Sequence, residues 1–375
     1  MPTRNPTDAK PIDDGDADSS GVPRSISSVR VLMVHSYYQL LGGEDVVFDA
    51  ESEMLTRFGH QVFQYTRSNA EIEKKSGIAQ AVDAVWNRMA AEKLASLVRE
   101  HQIDLVHVHN EFPTLSGSIF HAAKRAGAAV VKTLHNARPL CPKAVRFRDG
   151  LPCESCVQKR FAWRGVAEGC YRDNRLATAV SSFSSLLHHW KKSLSKHVDV
   201  CIAPTQNVRD LYQRSGYEIG QIVVKPHFVE TDLGMGQGSG GFALYAGRLS
   251  EEKGLTTLLD AWNTLAERAG EQSVPQLHVI GDGPLADRMV QRGPLVNWIG
   301  QVSKDEVYRH MGRAACLILP SACSETFGRV AVEAFSRGTP VICADHGGQA
   351  EVVHDEVGMR FVPGDSNDLA RKVQA

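Results

Sequence analysis

From Arg30 onward, short apolar runs alternate with longer stretches whose apolar residues recur at helical spacing. Val31-Leu32-Met33-Val34 reads as a first strand, followed by Gly42-Gly43 and a helix through Ala50 and Leu55. Gln61–Tyr65, Ile103–His109, Ala128–Leu134, Val198–Ala203 and Gln221–Val224 supply five further strands. A glycine-rich break follows at 234–241, and the pattern then restarts with Phe242–Ala246, Gln276–Ile280, Leu295–Ile299, Cys316–Leu319 and Val341–Cys343. Strand–helix alternation of this kind predicts parallel sheets with helices on both faces. The expected fold class is α/β, with two Rossmann-like domains whose parallel sheets face a central cleft. The expected division is a tail at 1–28, a first domain at 29–228, a linker at 229–241 and a second domain at 242–375.

Composition narrows the classes. The chain has 375 residues, enough for two separate cores, with 42 basic residues against 43 acidic ones. That balance gives no footing for nucleic-acid binding. No uninterrupted apolar run approaches the ~18 residues of a membrane span. Residues 1–28 are polar and rich in aspartate and proline, without the apolar centre of a signal peptide, and predict a disordered tail. A cytoplasmic protein with reduced thiols is the simplest expectation.

Chemistry concentrates at strand ends. Glu325 and Glu333 lie eight positions apart, with Phe327-Gly328 between them where a helix should begin. In open α/β sheets ligands bind at the carboxyl ends of strands, where helix N-termini offer N–H groups to anions. The two glutamates are therefore placed to meet different hydroxyls of a phosphate-bearing ligand, although a helix start favours acidic residues by its dipole alone. Arg248 and Lys253 follow the strand Phe242–Ala246, with Glu251-Glu252-Lys253-Gly254 expected to open the next helix, and suit a diphosphate. Gly281 and Gly283 form a tight turn after the next strand, and Gly347-Gly348 another, each permitting close ligand approach. In the first half, Gly42 and Gly43 follow strand one, His109 and Asn110 end the third strand, and His135 and Asn136 end the fourth.

Cys141, Cys153, Cys156 and Cys170 cluster in an irregular insertion, 139–175, broken by prolines and glycines. Such a segment has few apolar residues to hold it, so a tetrahedral structural zinc is one reading, with thiols or disulfides as the others. Cys201, Cys316, Cys323 and Cys343 are scattered, three of them at or beside apolar strands, and read as small core residues. The insertion is basic, with Arg146, Arg148, Lys159 and Arg160 among its cations. It is expected to cover the acceptor side and to meet an anionic acceptor at a membrane surface, a solvated basic loop being the plain alternative.

Together Gly42-Gly43-Glu44, Gly247-Arg248 with Lys253-Gly254, Gly281-Asp282-Gly283 and the Glu325/Glu333 frame resemble glycosyltransferase family 4, retaining transferases of the GT-B fold. The resemblance runs from about Val31 to the C-terminus. It implies that Arg248 and Lys253 hold the donor diphosphate, helped by N–H groups around Phe327 and Gly328. It further implies that Glu325 contacts the transferred sugar, Glu333 the nucleotide ribose, and that His135 assists at the reacting carbon. Gly42, Gly43, His109, Asn110, Gly281 and Gly283 would line the cleft. Implied partners are a nucleotide-sugar donor and a glycan or lipid-linked acceptor, with no cofactor required for catalysis. Contact with the inner membrane face and a role in cell-surface polysaccharide or glycolipid synthesis go with that setting. Two departures stand out: His227 occupies a position where relatives more often carry asparagine, and the final crossover helix is expected to be lacking. The alternative reading is a catalytically weak or inactive sugar-nucleotide-binding scaffold.

Overall fold

A computed structural model describes residues 28–38, 42–69, 76–230, 233–289 and 293–375. The expected tail thus lies outside the described residues except for Ser28, whose hydroxyl donates to Gly59 O at 2.8 Å. In chain order the strands are β1 (Arg30–Tyr37), β2 (Gln61–Ser68), β3 (Leu105–Val108), β4 (Ala129–Thr133), β5 (Phe147–Arg148), β6 (Leu151–Pro152), β7 (Val200–Ala203) and β8 (Gln221–Val224). There follow β9 (Phe242–Ala246), β10 (Gln276–Ile280), β11 (Val296–Gly300), β12 (Cys316–Leu319), β13 (Val341–Ala344) and β14 (Gly358–Phe361).

The chain divides into two compact units. The first runs to Ala144 and takes up Glu154–Pro204 and Arg209–Lys225; the second holds Val145–Cys153, Thr205–Val208 and Pro226–Ala375. In the first unit the sheet order is β2-β1-β3-β4-β7-β8, with every pairing parallel. In the second it is β11-β10-β9-β12-β13-β14, again wholly parallel. Each order reverses once, between β1 and β3 in the first sheet and between β9 and β12 in the second. Connections leave opposite faces at such a point, and a crevice opens at the carboxyl ends of those strands.

Two-sided burial explains why strands such as Leu317-Ile318-Leu319 and Val341–Ala344 read as continuous apolar runs, with all seven residues buried. The helix Leu255–Ala269 closes one face of the second sheet through Leu255, Leu258, Leu259, Trp262 and Leu265, each at most 2% exposed. That spacing is one stripe of a 3.6-residue period, and each such side chain contributes roughly 1.5–3 kcal/mol by burial. The Trp262 indole N–H is spent on Pro275 O at 2.9 Å.

Three expectations change. β14 was not foreseen: Gly358-Met359-Arg360-Phe361 is an edge strand, with Met359 and Arg360 exposed and no apolar run to announce it. The helix expected to open at Glu251 is first a single 3₁₀ turn, Glu251–Lys253; Gly254 then reverses the backbone at φ 73° before the helix starts at Leu255. In the expected linker, Gly236, Gly238 and Gly240 donate to Arg337 O, Gly312 O and Arg313 O, so this stretch is packed along the second unit. A Cβ on Gly236 would lie 2.1 Å from Gly312 O, which explains the glycine.

Candidate active site

In the second unit the loops after β9 and β12 meet at the reversal point. Lys253 Nζ donates to Glu325 Oε1 at 2.5 Å, and the Ser321 hydroxyl donates to the same oxygen at 2.7 Å. Burial opposes both charges, but each partner more than offsets that for the other. The lysine is held above its ordinary range and the carboxyl below its own. Arg248 stands exposed on the β9 loop, and its carbonyl accepts from the Tyr245 hydroxyl at 2.7 Å.

Glycines make this close approach possible. A Cβ on Gly254 would sit 1.8 Å from Pro320 O, and its φ of 73° already disfavours other residues. Gly281, expected to face ligand, packs against the β9 loop: its Cβ would fall 1.9 Å from Gly247 O. Gly283 stands similarly against Leu249 O, and the amides of Gly247 and Leu249 donate to Ile280 O and Asp282 O. The 281–283 turn therefore clamps the Arg248 loop. Gly347 and Gly348 clamp the Glu325 loop in the same way, with Gly348 donating to Glu325 O at 2.7 Å.

Phe327 is 4% exposed, its ring edge-on to His227 at 4.9 Å, so only its backbone is available to a ligand. Gly328 caps the short helix Arg329–Phe335 at φ 82°. Among the described residues no protein acceptor takes the N–H of Phe327 or Gly328. Glu333 accepts from Arg329 Nε at 2.9 Å, and Arg329 Nη2 lies 3.6 Å from Glu230 Oε1. The Arg329 side chain is 9% exposed and both its Nη atoms lack hydrogen-bond partners, a largely buried cation between two carboxylates that the sequence reading passed over. It sits at the first position of the helix, where it was read as part of the frame around the glutamates.

Arg146 was expected at an anionic surface. The structure corrects this: it is 4% exposed and donates through Nη2 to Ser324 Oγ at 2.8 Å, beside the Glu325 loop. Its backbone is left-handed, with φ 49°, just before the β5–β6 hairpin. Lys159 and Arg160 are exposed as expected.

In the first unit, Gly42 caps the helix Gly43–Arg57 with ordinary φ −117°, its amide donating to Asp45 Oδ2 at 2.7 Å. Among the described residues, nothing beyond its chain neighbours and its own helix backbone lies within 4 Å of where a Gly43 Cβ would be. Asn110 spends both amide atoms on backbone, Nδ2 donating to Ser36 O and Oδ1 accepting from Phe112 N. It ties the ends of β1 and β3 together. His135 is 9% exposed, and the neighbouring Asn136 donates to Glu44 Oε2 at 3.1 Å. Burial pushes the Glu44 carboxyl upward.

Beneath His135 lie groups the sequence reading missed. His109 Nδ1 is 2.9 Å from His135 Nε2, and Glu51, His107 and His109 bring ligand-type atoms within 4.8 Å of one another. A signal for this existed: alternation along β3 and the residue after it puts His107 and His109 on one face of an otherwise apolar strand. Nothing in the chain order points to Glu51 as their partner.

Of the clustered cysteines, Cys156 is buried and Cys141, Cys153 and Cys170 are half-buried. Cys201, Cys323 and Cys343 are core residues, as expected, and burial pushes each thiol up to about 12. Cys316 is half-buried, its thiol pushed to about 11.

Residues 41–233 match the family model described as Glycosyltransferase Family 4, and residues 237–375 match that for Glycosyl transferases group 1. The chain belongs to glycosyltransferase family 4. An uncharacterized glycosyltransferase of Methanocaldococcus jannaschii is 24% identical over 92% of this chain and 87% of its own length. A putative teichuronic acid biosynthesis glycosyltransferase, TuaC of Bacillus subtilis, is 33% identical over a stretch covering 35% of this chain and 31% of that protein. The chain therefore matches only about a third of the length of that relative. Among solved structures, sucrose-phosphate synthase of Thermosynechococcus elongatus has a TM-score of 0.64 at 18% identity, covering 92% of this chain and 89% of that one. Anabaena HepE, solved with UDP and glucose, gives 0.59 at 17%, covering 92% and 88%. Those two likenesses carry the GT-B fold into the family 4 assignment. No described helix of this family 4 chain is long and apolar enough to cross a membrane.

Proposed function

We propose that this protein transfers a sugar, with retention, from a nucleotide-sugar donor to a glycan or lipid-linked acceptor. The observation that carries the reading is the Lys253–Glu325 pair at the strand-order reversal, with Arg248 exposed on the same loop. A lysine and an arginine at a strand end suit a diphosphate, whose departure is the costly part of the reaction. Lys253 and Arg248 bind that diphosphate, with the amides of Phe327 and Gly328 adding N–H donors. Glu325 contacts the sugar, and Glu333 holds the ribose through the carboxylate oxygen not used by Arg329. His135 stabilises charge at the reacting carbon. Catalysis then rests on positioning and on stabilising the leaving group, with the departing diphosphate helping to take the acceptor proton. The double displacement of retaining hydrolases would need a carboxylate nucleophile, and the residues assigned here supply none for that role. HepE was solved with UDP and glucose, which supports a nucleotide-sugar donor.

The same reading places the protein in the cytoplasm, in contact with the inner membrane face through exposed cations such as Lys159 and Arg160, in cell-surface polysaccharide or glycolipid synthesis. It includes a structural zinc on Cys141, Cys153, Cys156 and Cys170. The deciding experiment is a thermal-shift panel of UDP, GDP, ADP and their sugars. Stabilisation by one base series is expected; none by any of them, in protein shown to be folded, would sink the transferase reading.

A further inference from the structure

The transferase reading leaves unused a buried polar line that ends on His135. His109 is 1% exposed; Nδ1 lies 2.9 Å from His135 Nε2, and Nε2 faces Glu51 Oε2 at 3.4 Å. Glu51 Oε1 accepts from Lys225 Nζ at 2.6 Å. His107 Nδ1 also faces Glu51 Oε2, at 3.6 Å, while its Nε2 is 2.8 Å from the Thr133 hydroxyl. His35, held by Asp45 at 2.7 Å, and Lys132, donating to His109 O and Glu111, are the other charged or titratable groups around His109.

Charge states follow from burial. Desolvation lowers His109 to about 3 and His107 to about 4, so both are neutral near neutral pH. Glu51 is ionised: burial works against its charge, but His109, His107 and Lys225 together outweigh that. A neutral imidazole carries one N–H. Were that proton of His109 on Nδ1, the Nε2 lone pair would face an ionised carboxylate in the dry interior with no donor between them. With the proton on Nε2, an N–H faces the Glu51 carboxylate 3.4 Å away, an attraction of charge without a formed hydrogen bond, and Nδ1 becomes an acceptor. The only donor His135 can offer it is its own Nε2–H.

We propose that Glu51, acting through His109, fixes His135 in the tautomer protonated at Nε2, leaving Nδ1 as the acceptor nitrogen. Glu51 and His109 are positioning residues for His135, a role analogous to a carboxylate orienting a histidine in a hydrolytic triad. A cation bound by the same three ligand-type atoms is the competing use. Lys225 already neutralises Glu51, so a divalent ion would leave two extra buried charges beside neutral imidazoles. The consequence for turnover rests on the proposed function; the tautomer itself does not.

Long-range ¹H–¹⁵N spectra of the full chain with labelled histidine read each tautomer without turnover. Wild-type protein is expected to show His109 and His135 both protonated at Nε2. In His135→Ala, His109 should keep its Nε2 proton, because Glu51 holds it. In Glu51→Gln the amide can donate to Nε2, so His109 and His135 should both shift toward Nδ1–H. His135 protonated at Nδ1 in the wild type, His109 released in His135→Ala, or a stoichiometric divalent metal that is lost in Glu51→Gln would each overturn the proposal. If Glu51→Gln does not fold, the His135→Ala spectrum still decides it. With a nucleotide sugar that turns over, Glu51→Gln should lower kcat at least about tenfold while donor KM changes less than about twofold. Unchanged kcat would overturn the positioning role. No turnover by wild type with any donor would instead count against the proposed function.

Discussion

At the residue scale, Glu325 is committed twice, to Lys253 and to the Ser321 hydroxyl, and both bonds converge on Oε1. On the proposed function, its second oxygen is the one left for a sugar hydroxyl. Glu325→Gln keeps the shape and removes the charge, so it should spare most nucleotide affinity while cutting transfer by about 10²-fold or more. Calorimetric binding of the nucleotide beside initial rates checks this, and equal activity refutes the assigned role. Gly254 tests the scaffold in turn. Alanine there must adopt φ 73° and place Cβ 1.8 Å from Pro320 O, a backbone atom that cannot rotate away. The left-handed conformation alone costs about 1–2 kcal/mol, and displacing the backbone adds to it. Gly254→Ala should lose more than about 2 kcal/mol in denaturant unfolding and weaken nucleotide binding, since Lys253 is its neighbour. A loss under about half a kcal/mol would show that the two loops are free to part.

At the scale of elements, legibility followed locality. β9, β12, β13 and the Val31–Val34 run of β1 announce themselves because burial on both faces favours unbroken apolar stretches. β14 stayed hidden because an edge strand keeps Met359 and Arg360 outside. The Glu325 loop was readable from its own glycines and prolines, whereas the Glu51–His109–His135 line joins a helix to two strand ends far apart in sequence. Arg146 shows the same gap from another side: within a run of cations, it is tied to Ser324, a partner 178 positions away that no neighbour predicts. The cysteine insertion is the element whose chemistry remains to be tested. Elemental analysis of purified protein should give about one zinc per chain, falling in Cys153→Ser/Cys156→Ser, with chelation lowering the melting temperature. Zinc absent from the folded protein would remove the metal from the proposal.

Over the whole molecule the two units carry different acid-sensitive groups. In the first, His107 and His109 are neutral in the fold, at about 4 and about 3, against 6.5 when unfolded. Their folded values are depressed, so the unfolded chain binds more protons once the pH drops below 6.5. The stability they confer is complete above that value and lost as pH falls toward the folded values. These two contribute up to about 2.7 kcal/mol per pH unit in that window, and His121, lowered to about 4, and His188, lowered by burial, add in the same direction. In the second unit Glu325 is depressed below 4.5, so its contribution is intact above that value and declines only as pH falls further. His278 in that unit is displaced in the same direction as His107, but it is half-exposed and solvent screens its effect. Hydrogen exchange between pH 6.5 and 4.5 should therefore show β3 and the helix Gly43–Arg57 losing protection while β12 and β13 keep theirs. His107→Gln, which removes one of these protons, should lower the slope in the first unit by up to about 1.4 kcal/mol per pH unit. Simultaneous loss of protection in both units, or earlier loss in β12, would show that the buried histidines do not set the acid stability of the first unit.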